Sequence, residues 1–324
     1  MLIPSAYVVI GFVFLVWGAD RFIAGASATA RNLGVSPLII GLTVVGFGTS
    51  APEMVISGIA SLRGNPGLAI GNAIGSNIAN VALILGVAAL VYPLQVQSTT
   101  LKREYPILMV VTLATLALLW DMELSRTDGV LLLIGLMAMT TWMALLGMGK
   151  SGPDPMAAEF ASEIPTDMKT GTALGWLLFG MIMLPLSSHV LVAGAVEIAH
   201  LLGVSDVVVG LSVVAIGTSL PELAAAIASV LKREHELAIG NVIGSNMFNL
   251  LGVMGIVGAI QTTPLPDLLL VRDYSVMLGL CVLLFILSYG FRGPGRISRL
   301  SGLVLLACFA GYQALVFYTE LGAS

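Results

Sequence analysis

The chain has 324 residues, 57% of them hydrophobic and only 10% charged, with a mean hydropathy of +1.00. A soluble domain carries about 25% charged residues, so too few polar side chains are present to coat a water-facing surface, and disorder is excluded for the same reason. Fourteen Lys and Arg against eighteen Asp and Glu leave a net charge of −4, which provides no basic field for nucleic acid. An integral membrane protein of many spans remains.

A span needs about 20 apolar residues to cross about 30 Å of hydrocarbon. Apolar runs between Gly, Pro and charged residues predict ten spans, near 6–28, 36–62, 68–92, 104–121, 125–147, 172–200, 205–231, 237–260, 272–290 and 298–319. The N-terminal MLIPSAYVVI has no positive n-region and no small-residue cleavage site, so it is expected to begin the first span. Residues 148–171 are rich in Pro, Gly and acidic side chains and read as a linker between a first half, 1–147, and a second, 172–324. Cys281 and Cys308 lie in apolar runs, and His189, His200 and His235 have no metal-ligand spacing.

With the N-terminus outside, the inner connections receive Arg31, Lys102, Arg103, Lys150, Lys169, Lys232, Arg233, Arg292, Arg296 and Arg299. The outer ones receive Arg63, Arg126 and Arg272, and Arg21 falls inside span 1. The positive-inside rule then puts both termini outside and the 148–171 linker in the cytoplasm, for a multi-pass protein of the inner (cytoplasmic) membrane.

Shifted by 169 residues, the sequence matches itself. GLTVVGFGTSAPEMVISGIASLRGNPGLAIGNAIGSNIANVALILG at 41–86 aligns without gaps to GLSVVAIGTSLPELAAAIASVLKREHELAIGNVIGSNMFNLLGVMG at 210–255, and 21 of the 46 positions are identical. The copies fall in spans 2–3 and 7–8. Five spans separate them, an odd number, so the halves are inverted. Inverted repeats with interrupted helices and a midplane site characterise secondary transporters. The expected fold is therefore an all-α membrane protein of ten transmembrane helices, arranged as two inverted five-helix repeats with broken helices 2 and 7 and a midplane ion site.

GTSAPE at 48–53 and GTSLPE at 217–222 put Gly, Pro and a carboxylate in mid-membrane. Pro52 and Pro221 lack an N–H, and Ala51 and Leu220 precede them, so each span is expected to break there and to free carbonyls around Gly46–Thr49 and Ala215–Thr218. Such carbonyl and carboxylate oxygens suit hard cations. Ser50-x-x-Glu53 and Ser219-x-x-Glu222 also fit a capping box, a purely structural alternative. That alternative still leaves a costly charge in the bilayer, with no Lys or Arg nearby in sequence.

GNAIGSNIAN at 71–80 and GNVIGSNMFN at 240–249 add Asn72, Asn77, Asn80, Asn241, Asn246 and Asn249. Ser76 and Asn80 share a helical face, as do Ser245 and Asn249, and ion contact is the reading favoured for these four. For Asn72 and Asn241, interhelical hydrogen bonding and ion contact stand equal. The paired glycines have small-xxx-small spacing and read as packing positions. Asp20, Arg21, Glu104, Glu197 and Asp273 lie near span ends, where structural pairs or snorkelling side chains are expected.

With these motifs the chain resembles the calcium/cation antiporter superfamily, specifically bacterial sodium/calcium exchangers, over essentially its whole length. The resemblance implies central ion ligands at Glu53 and Glu222. It implies further ligands at Thr49 and Thr218, Ser50 and Ser219, Ser76 and Ser245, and Asn80 and Asn249, with backbone carbonyls at Gly46 and Ala215. Some relatives have Asp at the position of Asn249. Asn in both copies leaves two carboxylates and argues against potassium coupling.

The implied activity is secondary antiport of Na⁺ against Ca²⁺ by alternating access, with spans 1 and 6 sliding against spans 2–5 and 7–10. Electrogenic Ca²⁺ export is the implied direction. Transported Ca²⁺ and Na⁺ and the lipid bilayer are the partners, no cofactor is required, and a monomer is compatible with the sequence. Proton-coupled cation exchange and an uncoupled cation channel are the alternatives. No nucleophile–base set or phosphate loop points to an enzyme.

Overall fold

The computed structural model describes residues 2–34, 41–64, 66–96, 104–148, 168–201, 219–266, 268–289 and 295–321. Helical segments stand at all ten predicted span positions. The first half contains α1 (Leu2–Leu33), a π-helical turn (Gly41–Val45) leading into α2 (Gly46–Leu62), and α3 (Pro66–Ile78) running through a π turn (Ala79–Ile84) into α4 (Leu85–Val91). It continues with α5 (Tyr105–Leu118) and α6 (Arg126–Met148). The second half contains α7 (Thr170–Leu201), α8 (Leu220–Leu231), and α9 (His235–Phe248) running through a π turn (Asn249–Val253) into α10 (Met254–Ile260). A π turn (Leu269–Tyr274) leads into α11 (Ser275–Ser288), and α12 (Arg299–Leu321) follows. Among the described residues, six helical runs are long and apolar enough to cross a bilayer unaided.

The irregularity of span 2 differs from the expected break at Ala51–Pro52. The helix runs through both residues, and the change of hydrogen-bond register falls earlier, where the π turn meets α2 at Val45–Gly46. In span 7 the start of α8 at Leu220 follows the expectation, with Ser219 as N-cap and Pro221 in the first turn. Residues 202–218 and most of the 148–171 linker lie outside the described residues.

Two short antiparallel pairings display the repeat. β1 (Leu94–Val96) pairs with β4 (Gly295–Ile297), and β2 (Glu123–Leu124) with β3 (Thr263–Pro264). A shift of 169 carries β1 onto β3. The first pairing joins the connections after spans 3 and 9, and the second those after spans 4 and 8. Each pair therefore shares one side of the bilayer, as strict alternation of ten spans requires. The turn after α2 has Gly64 in the left-handed region (φ 79°), and its repeat equivalent after α8 is Arg233 (φ 62°). The second copy keeps the turn although a side chain there costs about 1 kcal/mol.

The chain divides into two compact units, each drawing on both repeats: residues 1–53 with 137–245, and residues 54–136 with 246–324. In the first, α1 packs along α7. A Cβ on Gly25 would lie 2.6 Å from Leu177 N, and one on Gly180 would strike Phe22, so both glycines are needed for the approach. Phe22, Ile23, Ala26, Leu177, Leu184, Ala225 and Leu237 form the buried core. Leu2, Ile3, Phe12, Val13, Val16, Leu178, Ile182 and Leu186 are exposed, a lipid-facing surface in a chain of this composition. The expected pairs of span-end charges are present: Asp20 binds Lys232 at 2.6 Å, and Arg21 sits 5.2 Å from the Trp176 ring centre.

Between α8 and α9, Glu234 is 8% exposed. Burial raises its carboxyl above the usual range, and the nearby Ser27 hydroxyl and the charges of Arg31 and Lys232 partly offset this. The folded chain thus holds this proton more tightly than the unfolded chain. Its contribution to stability is present in full below the ordinary carboxylate pKa and is lost as pH rises through the raised value. Glu234→Gln should flatten that part of the pH dependence of thermal unfolding, which begins as pH rises past the ordinary carboxylate pKa, and an unchanged slope would contradict the assignment.

In the second unit, α12 packs on α4, where a Cβ on Gly302 would lie 2.8 Å from Gly86 O. The Tyr105 hydroxyl donates to Cys281 O, and the Tyr274 hydroxyl to Thr112 O at 2.6 Å. Arg272 and Asp273 pair at 2.8 Å, Tyr312 donates to the same carboxylate, and Arg272 reaches Thr319. Cys281 and Cys308 are free.

Candidate ion-binding site

Two carboxylates lie in the first unit, on spans 2 and 7. Glu53 and Glu222 are each 2% exposed and stand within electrostatic reach of each other. Neither oxygen of Glu53 has a hydrogen-bond partner, nor does Oε2 of Glu222. The hydroxyls of Ser50 and Ser219 are also buried and unpartnered. Leaving such groups unsatisfied costs about 1–3 kcal/mol each, and more for a charge, so a set of buried, orphaned oxygens calls for a cation. Among the described residues no group of three or more His, Cys, Asp and Glu occurs, so any cation here must draw mainly on neutral oxygens beside the two carboxylates.

The serine half of the capping box is absent from both copies. Ser50 lies inside α2, four residues past its start, where no cap is needed. Ser219 holds the N-cap position of α8, but its side chain makes no capping hydrogen bond. The two hydroxyls are therefore not spent on the helix ends.

Around the π-to-α junction of span 2, the Thr49 hydroxyl lies 3.0 Å from Asn241 Oδ1, 3.2 Å from Ser245 Oγ and 3.3 Å from Gly46 O. Ser245 reaches Gly46 O at 3.5 Å. Gly46, Thr49 and Ser245 thus lie within hydrogen-bond reach of one another. A Cβ on Gly244 would strike Leu42 O, so only glycine admits this approach of α9 to span 2. Asn241, left open by sequence reasoning, accepts an interhelical hydrogen bond from Thr49.

In the second unit the amides of spans 3 and 8 face one another. Asn77, Asn80, Asn246 and Asn249 are each 1% exposed, and Ser76 is 6% exposed. Asn80 Nδ2 donates to Asn246 Oδ1 at 3.0 Å, Asn249 Nδ2 to Asn77 Oδ1 at 3.1 Å, and Asn77 Nδ2 to Asn246 O at 3.3 Å. Asn72 lies 3.5 Å from Ser57 Oγ, which favours the interhelical reading for it. Asn80 lies in the π turn Ala79–Ile84 and Asn249 begins the π turn Asn249–Val253, in repeat-equivalent positions. Such turns recur at functional sites. Thr218 and Ala215 lie outside the described residues.

Comparison with known proteins places these features. The family described as sodium/calcium exchanger protein matches residues 4–145 and 172–318. The chain is 39% identical over 320 residues to inner membrane protein YrbG of Escherichia coli, covering 98% of each chain. It is 33% identical over 343 aligned residues to sodium/calcium exchanger MaX1 of Methanosarcina acetivorans, covering 95% of this chain and 97% of that protein. A solved structure of the sodium-calcium exchanger NCX_Mj, soaked with Na⁺ and Sr²⁺, superposes with a TM-score of 0.83 at 29% identity, covering 97% of this chain and 98% of that one. The inverted repeat, the buried unpaired carboxylates on spans 2 and 7 and these similarities together assign the protein: the chain belongs to the sodium/calcium exchanger family, a family of membrane antiporters and not of enzymes.

Proposed function

We propose that the protein exchanges Na⁺ for Ca²⁺ across the cytoplasmic membrane by alternating access, with net movement of charge. The observation that carries this reading is the set of buried oxygens of Ser50, Glu53, Ser219 and Glu222 that no protein donor satisfies. Two ionised carboxylates supply a charge of −2, which one Ca²⁺ neutralises with hard oxygen ligands. Thr49, Ser245 and the Gly46 carbonyl extend the set, with Thr218 and the Ala215 carbonyl as their repeat equivalents. Ser76, Asn80 and Asn249 take ligand roles on the strength of their repeat-equivalent positions and of the family resemblance.

Several Na⁺ occupy the same oxygens but not alongside Ca²⁺, because the cations repel. An empty site leaves two like charges in a medium of low dielectric, so the loaded forms cross far more easily than the empty one. That preference turns a binding site into an obligatory exchanger. If about three Na⁺ replace one Ca²⁺, one charge crosses per cycle, worth about 2.3 kcal/mol at 100 mV. A tenfold Na⁺ gradient adds about 1.4 kcal/mol per ion. Together they supply about 6–7 kcal/mol, enough to drive Ca²⁺ against a gradient of between four and five decades.

The moving part is assigned to α1 and α7, spans 1 and 6, which pack through Gly25 and Gly180 as one body and are equivalent under the repeat. The termini lie outside and the 148–171 linker inside, on the strength of the basic residues of the connections, with 1–147 and 172–324 as the repeat halves. A monomer suffices for this cycle.

Proteoliposomes loaded with Na⁺ should take up radiolabelled Ca²⁺ when diluted into Na⁺-free medium, and faster when a K⁺ diffusion potential makes the lumen positive, because about three Na⁺ leaving against one Ca²⁺ entering carry one positive charge outward. Uptake driven by a pH gradient without Na⁺ would replace this reading with proton coupling. Uptake that needs no counter-ion would replace it with a channel.

A further inference from the structure

The four central amides form a crossed arrangement that determines which atoms of Asn80 and Asn249 remain available. Asn77 Nδ2 faces the backbone carbonyl of Asn246, and a carbonyl only accepts, so the orientation of the Asn77 amide is determined by the main chain. Its Oδ1 then faces Asn249, which must present Nδ2 to it at 3.1 Å. In the other copy, Asn80 presents Nδ2 to Asn246 Oδ1 at 3.0 Å. Under the shift of 169 these two bonds are images of each other, each running from one repeat to the other. The consequence is the same on both sides: Oδ1 of Asn80 and Oδ1 of Asn249 are buried and have no hydrogen-bond partner.

An amide flips at no steric cost, and flipped it would offer an NH₂ group, which repels a cation. We infer that Asn77 and Asn246 are positioning residues. By accepting the Nδ2 hydrogens of Asn249 and Asn80, they leave the Oδ1 atoms of those two residues as ligands for a hard cation; the Asn77 amide is anchored by the main chain, whereas Asn246 Nδ2 has no partner. Neutral oxygens oriented in this way suit a hard cation. The inference rests on the ligand roles proposed for Asn80 and Asn249 and adds the residues that orient them.

Aspartate at 249 offers oxygen on both arms, so its orientation no longer matters, and this makes the inference testable by a double-mutant cycle. Ca²⁺ binding to the purified full-length protein is measured by titration calorimetry, with Ca²⁺-free thermal unfolding reporting that each variant is folded. Asn77→Ala should weaken Ca²⁺ binding about tenfold or more, the equivalent of one misdirected ligand. In the Asn249→Asp background the same substitution should weaken it by less than about threefold. Equal weakening in both backgrounds, or none in the parent, would overturn the inference, since a merely structural Asn77 acts alike in both. Should Asn77→Ala fail to fold, the image cycle of Asn246→Ala with Asn80→Asp gives the same reading. Asn249→Ala separates the two levels: unchanged Ca²⁺ binding in that variant removes the ligand assignment itself, whereas weakened binding there with additive cycles removes only the orienting role.

Discussion

Glu53→Gln and Glu222→Gln should each abolish Ca²⁺-driven exchange and the stabilisation of the protein by Ca²⁺, while leaving it folded. Both side chains are buried to 2% exposure, three of their four oxygens lack a partner, and the bound ion is their only proposed counter-charge. Glutamine keeps the shape and one acceptor oxygen but removes one of the two negative charges that balance a divalent ion. Breaking a buried charge pair by removing one member costs on the order of 3–5 kcal/mol, so the affinity for Ca²⁺ should fall by about a hundredfold to several thousandfold. The same substitution removes a buried, ion-free charge from the empty protein. The variants should therefore unfold at the same or a higher temperature than the parent in the absence of Ca²⁺, and at an unchanged temperature when Ca²⁺ is added. A rise in unfolding temperature with Ca²⁺ as large as that of the parent, in both variants, would refute the role of the pair.

The second large effect concerns movement. If α1 and α7 slide as one body along spans 2 and 7, a covalent link from α1 to the turn after α8 should stop exchange. Asp20 and Lys232 mark such a place: their side chains meet at 2.6 Å and are 49% and 31% exposed. As an exposed ion pair they contribute about 0–1 kcal/mol, so replacing both with cysteine should leave the protein folded and active. A short reducible dithiol cross-linker should then bring Ca²⁺ flux to background, and reduction should restore it. The control link joins the two sliding helices to each other. Trp17 and Phe179 have ring centres 5.3 Å apart, one on α1 and one on α7, and a Trp17→Cys, Phe179→Cys link should leave flux intact. Arrest by the second link, or flux surviving the first, would contradict this assignment of the moving body.

Much of this was legible in the sequence because membrane physics leaves strong marks. Apolar runs of the length that spans hydrocarbon are hard to mistake, and helical segments stand at all ten predicted places. The 169-residue shift exposes the repeat, and the odd number of intervening spans makes it inverted. Glu53 and Glu222 stood out because a carboxylate in mid-bilayer is too costly to be incidental.

What escaped was whatever depends on hydrogen-bond register or on the partner helix. Nothing local announces the π turns at Ala79–Ile84 and Asn249–Val253, because a π turn differs from an α-helix only in which carbonyl each N–H selects. α2 likewise continues through Pro52, where proline chemistry alone predicted a break. Asn77 and Asn246 were visible as polar residues in a span, yet their role depends on where an amide donor finds its acceptor across the repeat. The Thr49–Asn241 bond has the same origin. The left-handed Arg233 is a position whose geometry could have been read from its glycine equivalent, Gly64, had the two turns been aligned as closely as the two motifs.

The account stands or falls on where the ion sits. Crystals of the protein grown with Sr²⁺ in place of Ca²⁺ and measured for anomalous scattering should show one strong peak whose neighbours include carboxylate oxygens of both Glu53 and Glu222, at about 2.3–2.6 Å or slightly longer for the larger ion. A peak bound by only one of the two carboxylates, or found elsewhere in the chain with these two groups empty, would contradict it.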